Sequence, residues 1–410
     1  MSKLQELIQR LCPDGVEYKK LGEVAEVGTG SSDKKDADAN GSYPFFVRSK
    51  IVERHNCFEY NEEAVIIPGE GGIGEIFHYI NGPYALHQRV YRIHFTSTSV
   101  NTRFAYYYLF AHFKCFIMKK AVSATVTSIR KPMIETFPLA VPPLEVQEEI
   151  VRILDSFSDY AAELQAELQA RKEQYEYYRN LLLTFNPAGC AGEADDEQEG
   201  CVTTRGGHSY PIQWKTMGEV GTFIRGNGLQ KKDFTESGVG CIHYGQIYTY
   251  YGTFTTETKS FVSEEFAKKL RKAQTGDLVI ATTSENVEDV GKAVVWLGKD
   301  EIAISGDAYV YKHNQNPRYI AYLLQTDRFL AFKRMNVSGT KVTRISGDSL
   351  AKYPIPIPPL ELQEKIVAIL DRFETLVNDL SEGLPAEIAA VKEQYEYYRN
   401  RLLTFKEKTA

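Results

Sequence analysis

The side chains in this sequence whose types and spacing could do chemistry sit in short runs that mix cations, amides and hydroxyls. In the first half these are Arg48-Ser49-Lys50, His87-Gln88-Arg89, Lys119-Lys120, and the group Thr125, Thr127, Arg130 and Lys131. In the second half they are Arg225 with Asn227, Lys231-Lys232, Tyr244 and Gln246 beside His243, Thr282-Thr283-Ser284 with Asn286, and Lys341, Thr343 and Arg344. Arg, Asn and Gln present paired hydrogen-bonding groups to base edges, and Lys and hydroxyls suit phosphate oxygens. Taken singly, each run fits a solvated loop. Their recurrence in both halves, with Thr125 set against Thr340 and Arg130 against Arg344, points to nucleic-acid binding.

Patterns that would carry catalysis fail on inspection. Gly69, Gly71 and Gly74 give GxGxxG after an apolar run, but Gly82-Pro83 interrupts where a dinucleotide site needs a helix and a later acid. A tight loop that a large ligand can approach is the better expectation. Pro13-Asp14 with Glu17 and Lys19 superficially resembles a PD…ExK nuclease centre, yet the acids are too close in sequence to occupy adjacent strands. Walker A, NPPY and Ser-His-Asp sets are missing from the sequence. The six cysteines (12, 57, 115, 190, 201, 241) and eight histidines form neither CxxC, HExxH nor zinc spacing. The sequence is therefore expected to be no enzyme by itself and to hold no metal or cofactor.

What positions the candidate residues must be large. At 410 residues, 43% hydrophobic and 25% charged, the chain suggests two globular domains rather than one core. No window resembles a membrane span, and the start MSKLQELIQR has no signal-peptide core, so a reduced, cytoplasmic protein is expected. The net charge of −6 argues at first against nucleic acid, but it is unevenly spread. Residues 42–140 carry 11 Lys/Arg against 7 Asp/Glu, and residues 221–357 carry 18 against 14, so each is net +4. Segments 144–185 (net −5), 360–405 (net −4) and 186–204 hold the acidity.

The chain also repeats itself. KEQYEYYRNLLLTF at 172–185 returns as KEQYEYYRNRLLTF at 392–405, differing only at Leu181 and Arg401. VPPLEVQEEIVRILDSF at 141–157 returns as IPPLELQEKIVAILDRF at 357–373, VSATVTSI at 122–129 resembles VSGTKVTRI at 337–345, and LGEV at 21–24 resembles MGEV at 217–220. The lobes between these markers share little.

The repeated segments read as long helices. In the first, Ile150, Leu154, Phe157, Ala161, Leu164, Leu168, Arg171, Tyr175, Tyr178, Leu182 and Phe185 alternate in steps of four and three, which is a coiled-coil seam. In the second, the repeat offset changes from 216 to 220, an inserted step of four at which Gly383 and Pro385 predict a kink. Pro142-Pro143 and Pro358-Pro359 bar helix upstream. Forty helical residues would span about 60 Å.

The predicted organisation is a first lobe (1–141), a first spacer helix (142–186), an acidic flexible linker (187–207), a second lobe (208–357) and a second spacer helix (358–410). The fold class is α+β: two mixed α/β lobes separated by two long helices in an antiparallel coiled coil, with pseudo-twofold repetition. AVIIPGEGG (64–72) and DLVIATTSEN (277–286) read as strands entering polar loops, and FAYYYLFAHF (104–113) and YIAYLLQTDRFLAF (319–332) read as helices beneath a sheet.

The architecture resembles the specificity subunit of type I restriction-modification systems. PPLExQExIVxILDxF opens each helix, KEQYEYYRNxLLTF closes it, SEGLPAEI lies at 381–388 and GDLVIATTSEN at 276–286. The resemblance covers essentially the whole chain, although the 186–207 join is longer and more acidic than the family pattern, and Cys190 and Cys201 in it read as incidental. It implies a non-catalytic DNA reader whose lobes are target-recognition domains, each reading half of a bipartite asymmetric site. The helices would set the gap and dock two methyltransferase subunits, joined by restriction/translocase subunits. The partner would flip out an adenine and methylate it with S-adenosylmethionine. Half-sites on one face of B-DNA lie roughly 34 Å apart, compatible with such helices. The competing reading is a coiled-coil scaffold whose lobes bind proteins.

Overall fold

A computed structural model describes residues 3–120, 128–185, 199–203, 209–339, 341–379 and 381–408. The first half runs α1 (Lys3–Leu11), β1 (Glu17–Lys20), α2 (Leu21–Val24), β2 (Ala25–Thr29), β3 (Tyr43–Phe46), β4 (Glu53–His55), β5 (Tyr60–Pro68), β6 (His78–Leu86), β7 (Val90–Phe95), α3 (Thr102–Lys120), α4 (Lys131–Glu135), β8 (Pro138–Val141) and α5 (Leu144–Leu183). The second begins with β9 (Glu199–Thr203), β10 (Ser209–Thr216), α6 (Met217–Val220), β11 (Gly221–Arg225), β12 (Val239–Ile242), α7 (Tyr244–Thr249), β13 (Phe254–Thr255), β14 (Ser260–Val262), α8 (Glu264–Ala267) and β15 (Lys272–Ala273). It continues through β16 (Leu278–Ala281), β17 (Thr283–Ser284), β18 (Ala293–Trp296), β19 (Ile302–Ile304), β20 (Ala308–His313), α9 (Pro317–Leu323), α10 (Asp327–Asn336), β21 (Thr343–Arg344), α11 (Gly347–Ala351) and β22 (Pro354–Ile357) to α12 (Leu360–Asn378) and α13 (Leu384–Leu402).

Both lobes are mixed α/β and follow one plan. Antiparallel pairing of β1 with β8, and of β10 with β22, ties the start of each lobe to its end. The repeated LGEV and MGEV strings form α2 and α6, whose first N–H groups donate to the carbonyls of Phe137 and Tyr353, both at 2.9 Å. The first lobe's sheet has the order β2-β7-β5-β6-β3-β4, and β11-β20-β16-β18 repeats its first four places. The parallel pair β3–β6 returns as β12–β19. Long β6 is replaced by two short strands because Gly298-Lys299-Asp300 turns the chain between β18 and β19, closed by the Trp296 indole N–H donating to the Asp300 carbonyl at 2.8 Å.

Two compact units result, residues 1–166 with 386–410, and residues 167–385. The helices do not stand apart from the lobes. In the first unit Val146, Ile150 and Leu154 of α5, and Leu403 just beyond α13, share a core with Phe104, Phe113 and Phe137. The chain end is fixed there by hydrogen bonds from Val16 N–H to the Lys406 carbonyl and from the Tyr18 hydroxyl to the Phe405 carbonyl. In the second unit Leu362, Ile366 and Leu370 of α12 are buried with Leu183 and Phe185 at the end of α5. Leu183 and Leu403, like Phe185 and Phe405, are matching positions of the repeat. The repeated Leu-Leu-Thr-Phe string therefore serves each unit as core, about 1.5–3 kcal/mol for each fully buried large apolar side chain.

The seam is made of matching contacts within each unit. Phe157 stacks on Tyr398 at 5.5 Å in the first, and Phe373 stacks on Tyr178 at 5.6 Å in the second. These are the same two positions of the repeat. In each YEYYR run two tyrosines stay exposed, Tyr177 and Tyr178 in the first and Tyr397 and Tyr398 in the second, the latter of each pair while stacking on its phenylalanine. The inserted step of four becomes a full break between α12 and α13, where a Cβ on Gly383 would meet the Thr375 carbonyl oxygen at 2.4 Å. One expectation changes: part of the 187–207 segment is not linker, because β9 pairs antiparallel with β10. Residues 186–198 and 204–208, with Cys190, lie outside the described residues.

Candidate nucleic-acid interface

A cavity occupies the same place in each lobe. The first, of about 240 Å³, is lined by Lys34, Arg48, Ser49, Glu70 and His87. The second, of about 380 Å³, is lined by Arg225, Gln230, His243, Tyr244, Ser305 and Asp307. Backbone hydrogen bonds fix the equivalence. His87 N–H donates to Phe46 as Ser305 N–H does to Ile242, at 3.1 and 3.2 Å, and Gly69 N–H donates to Arg89 as Thr282 N–H does to Asp307, at 2.9 and 3.0 Å. Ile129 N–H donates to Gly69 as Ile345 N–H does to Thr282. A Lys-Lys-Asp turn begins at Lys34 in one lobe and at Lys231 in the other.

In the first lobe the fold brings distant runs together. Glu70, which lines the cavity, accepts from Arg48 at 3.2 Å and from Arg89 at 2.9 Å, so one carboxylate holds two arginines. The Arg89 hydrogen bond, and then the arginine charges, keep the Glu70 carboxyl below its ordinary range. His87 is buried, and burial together with the Arg48 charge lowers its basicity. Its Nδ1 accepts from the Arg89 N–H at 3.0 Å, so it shapes the turn. The Ser49 hydroxyl donates to the Ile51 carbonyl, and Lys50 and Gln88 are exposed. Lys119 is exposed near the end of α3, and Lys131 pairs with Glu135 at 3.6 Å. The Lys120 side chain, Thr125 and Thr127 lie outside the described residues. After β5 the glycines make a turn with positive φ at Gly71, Gly72 and Gly74, and no helix opens.

In the second lobe many candidate groups are spent on local structure. The Asn227 amide donates to the Lys269 carbonyl and accepts from Arg271 N–H, and Gln246 bonds Ser260 and the His243 N–H. Thr282 donates to the Asp307 carbonyl, Asn286 closes a turn with Asp289, and Thr283 and Ser284 are buried. Arg225, Lys231, Lys232, Lys341 and Arg344 remain exposed, Thr343 is half-buried beside them, and Tyr244 packs on the buried His243 ring at 4.5 Å. Among the described residues the Arg344 side chain has no partner.

The matching of Arg130 with Arg344 needs correction. Glu70 bridges to Ser128 where Thr283 pairs with Arg344, so Arg344 corresponds to Ser128. Arg130 corresponds to Ser346, each standing at the N-cap of a short helix, α4 and α11. The repeat offset here is 216, whereas Arg130 and Arg344 are 214 apart, so that comparison was out by two places.

Sequence reasoning missed the cavity's acids, Glu70 and Asp307, and the joints between lobe and helix. Gln147 and Gln363 are fully buried. Gln147 accepts from Asn101 N–H at 2.8 Å and donates to the Ser99 and Pro142 carbonyls, and Gln363 accepts from Asn316 N–H at 3.0 Å and donates to Gln315 and the Pro358 carbonyl. Arg103 pairs with Asp155 at 3.0 Å and Arg318 with Asp371 at 2.5 Å, and Tyr107 and Tyr322 donate to the same aspartates. The signal was present as Asn-x-Arg-x-x-x-Tyr at 101–107 and 316–322.

Among the described residues there is no His/Cys/Asp/Glu group able to hold a metal, and no helix long and apolar enough to cross a membrane. The chain is a twice-repeated α/β lobe with a loop-lined cavity, each copy joined to a long helix. The family model for the type I restriction modification DNA specificity domain matches residues 13–173 and 211–390, and the chain belongs to that family. S.HindORF215P of Haemophilus influenzae, named as a type I restriction enzyme specificity subunit, is 28% identical over 95% of this chain and 96% of its own. The EcoR124I/EcoR124II specificity subunit of Escherichia coli is 30% identical over 64% of this chain and 60% of its own. The crystal structure of a type I S subunit from M. genitalium covers 96% of this chain and 97% of its own at TM-score 0.54 and 16% identity. A chain from a study of type I complex assembly covers 96% and 98% at TM-score 0.57 and 17% identity. The family's role is non-catalytic, and its members assemble with other restriction-modification subunits and with DNA.

Proposed function

We propose that each lobe reads one half of a bipartite, asymmetric DNA site through its cavity and the exposed cations around it. The helices pair as an antiparallel coiled coil, set the unspecified gap, and dock two methyltransferase subunits, with restriction/translocase subunits completing the complex in the cytoplasm. The methyl donor, S-adenosylmethionine, belongs to the methyltransferase; this chain supplies sequence choice. The observation that carries this reading is the pair of equivalent cavities, built on one hydrogen-bonded frame and lined by different side chains. Two readers of the same geometry with different chemistry suit two different half-sites. The acidic helices and net-positive lobes agree with contact to phosphates at the lobes alone.

The test is selection of bound duplexes from a random library by this chain copurified with its methyltransferase. Two short specified blocks at a fixed separation are expected. Enrichment of one continuous block, or of none by an intact complex, would contradict the reading.

A further inference from the structure

The two cavities differ most at one place. Arg89 and Asp307 occupy equivalent positions, each carbonyl accepting the matching hydrogen bond, from Gly69 N–H and from Thr282 N–H. They carry opposite charge. Beside Arg89 stands Arg48, with Glu70 as the shared counterion, and Lys34 lines the same cavity as Arg48 and Glu70. Around Asp307, Thr283 stands where Glu70 does and Tyr244 where Arg48 does, as the pairings of Ser128 with Glu70 and Arg344 with Thr283, and the chain positions after β3 and β12, require. Among the described residues the Asp307 carboxylate has neither a hydrogen-bond nor an ion-pair partner, although Arg225 lies beside it, donating to the Gly306 carbonyl at 3.2 Å.

A carboxylate is an unusual group to leave free on a surface that meets phosphates, since it repels them. It is useful only toward a donor. In the major groove the exocyclic amino groups of cytosine and adenine are donors, and guanine offers two acceptors, O6 and N7, that suit an arginine fork.

We infer that this position decides one base in each half-site: Arg89, held in place by Glu70, reads a guanine, and Asp307 accepts from the amino group of a cytosine or adenine. This rests on the proposed reading of the lobes as half-site readers and adds the specificity-determining residue of each. The remaining bases of each half are left to the other groups of the cavity rim.

The experiment is genome-wide mapping of methylated adenine in cells carrying the methyltransferase with the wild-type chain, with Arg89→Ala, or with Asp307→Asn. Both side chains reach solvent and Asp307→Asn keeps size and shape, so folding is not at issue; recovery of intact complex checks this. Arg89→Ala should relax one guanine in one half by roughly ten- to a hundredfold, and Asp307→Asn one cytosine or adenine in the other half by a similar factor. Several results would overturn the assignment: both variants relaxing the same half, the position relaxed by Arg89→Ala being an A·T pair in the wild type, or an unchanged motif with modification weakened at every site, which is phosphate contact. Absence of any bipartite motif for the wild-type complex would instead overturn the reading of the lobes.

Discussion

At the joint between lobe and helix the two halves of the chain are copies, whereas at the rim of the cavity they are opposites. Asn101, Arg103, Tyr107, Gln147 and Asp155 make the same contacts as Asn316, Arg318, Tyr322, Gln363 and Asp371. At and beside the cavity, Arg48, Glu70, His87 and Arg89 give way to Tyr244, Thr283, Ser305 and Asp307 at matching backbone positions. The joints hold a common geometry, for which any working solution can be used twice. On the proposed reading the cavities meet different half-sites, and repeating one would repeat its choice of base.

The largest effect that would break this comparison is at the joints. Gln147→Ala and Gln363→Ala each remove the three hydrogen bonds of a fully buried amide and should each cost roughly 2–4 kcal/mol. Urea unfolding of the two variants should show losses that agree within about 1 kcal/mol. A cost confined to one of them would mean that the joints are alike in drawing but not in load. A smaller effect separates charge from choice. Lys119→Ala and Lys341→Ala should weaken binding to all duplexes alike, each lowering the slope of log affinity against log salt by about 0.9. A motif change from either lysine would move it into the reading set.

The smallest effect is a difference in acid response. His313 stands where the first lobe has Phe95, opposite Gly221 and Ala25 respectively. Burial lowers its pKa to about 4, and its Nε2 has no hydrogen-bond partner. In the unfolded chain it takes up a proton near pH 6.5. Its neutral folded form is therefore fully tolerated above about 6.5, and stability is lost as pH falls from there toward 4. His313→Phe should shrink the fall in unfolding midpoint between pH 7 and pH 5; an unchanged fall would place the acid sensitivity on other groups.

Much of the frame was legible because it is written twice. The Pro-Pro starts, the apolar seam and the Leu-Leu-Thr-Phe ends gave the helices, and Gly383 with the four-residue insertion marked the break. The cavities were only half legible. Runs rich in cations and amides can be seen in sequence, but whether Asn227, Gln246 and Asn286 are free depends on backbone groups 3 to 44 residues away that claim their amides. Asp307 and Glu70 escaped notice because a single acid in a loop has no pattern. The misplaced pairing of Arg130 with Arg344 is out by two places, which strand register resolves.

The most direct test of the central claim is the map of methylated adenine across the genome in cells with and without this chain, its methyltransferase present in both. One bipartite motif with a fixed gap, present only with the chain, is the expected result. A motif that persists without the chain, or no motif despite a stable complex, would contradict it.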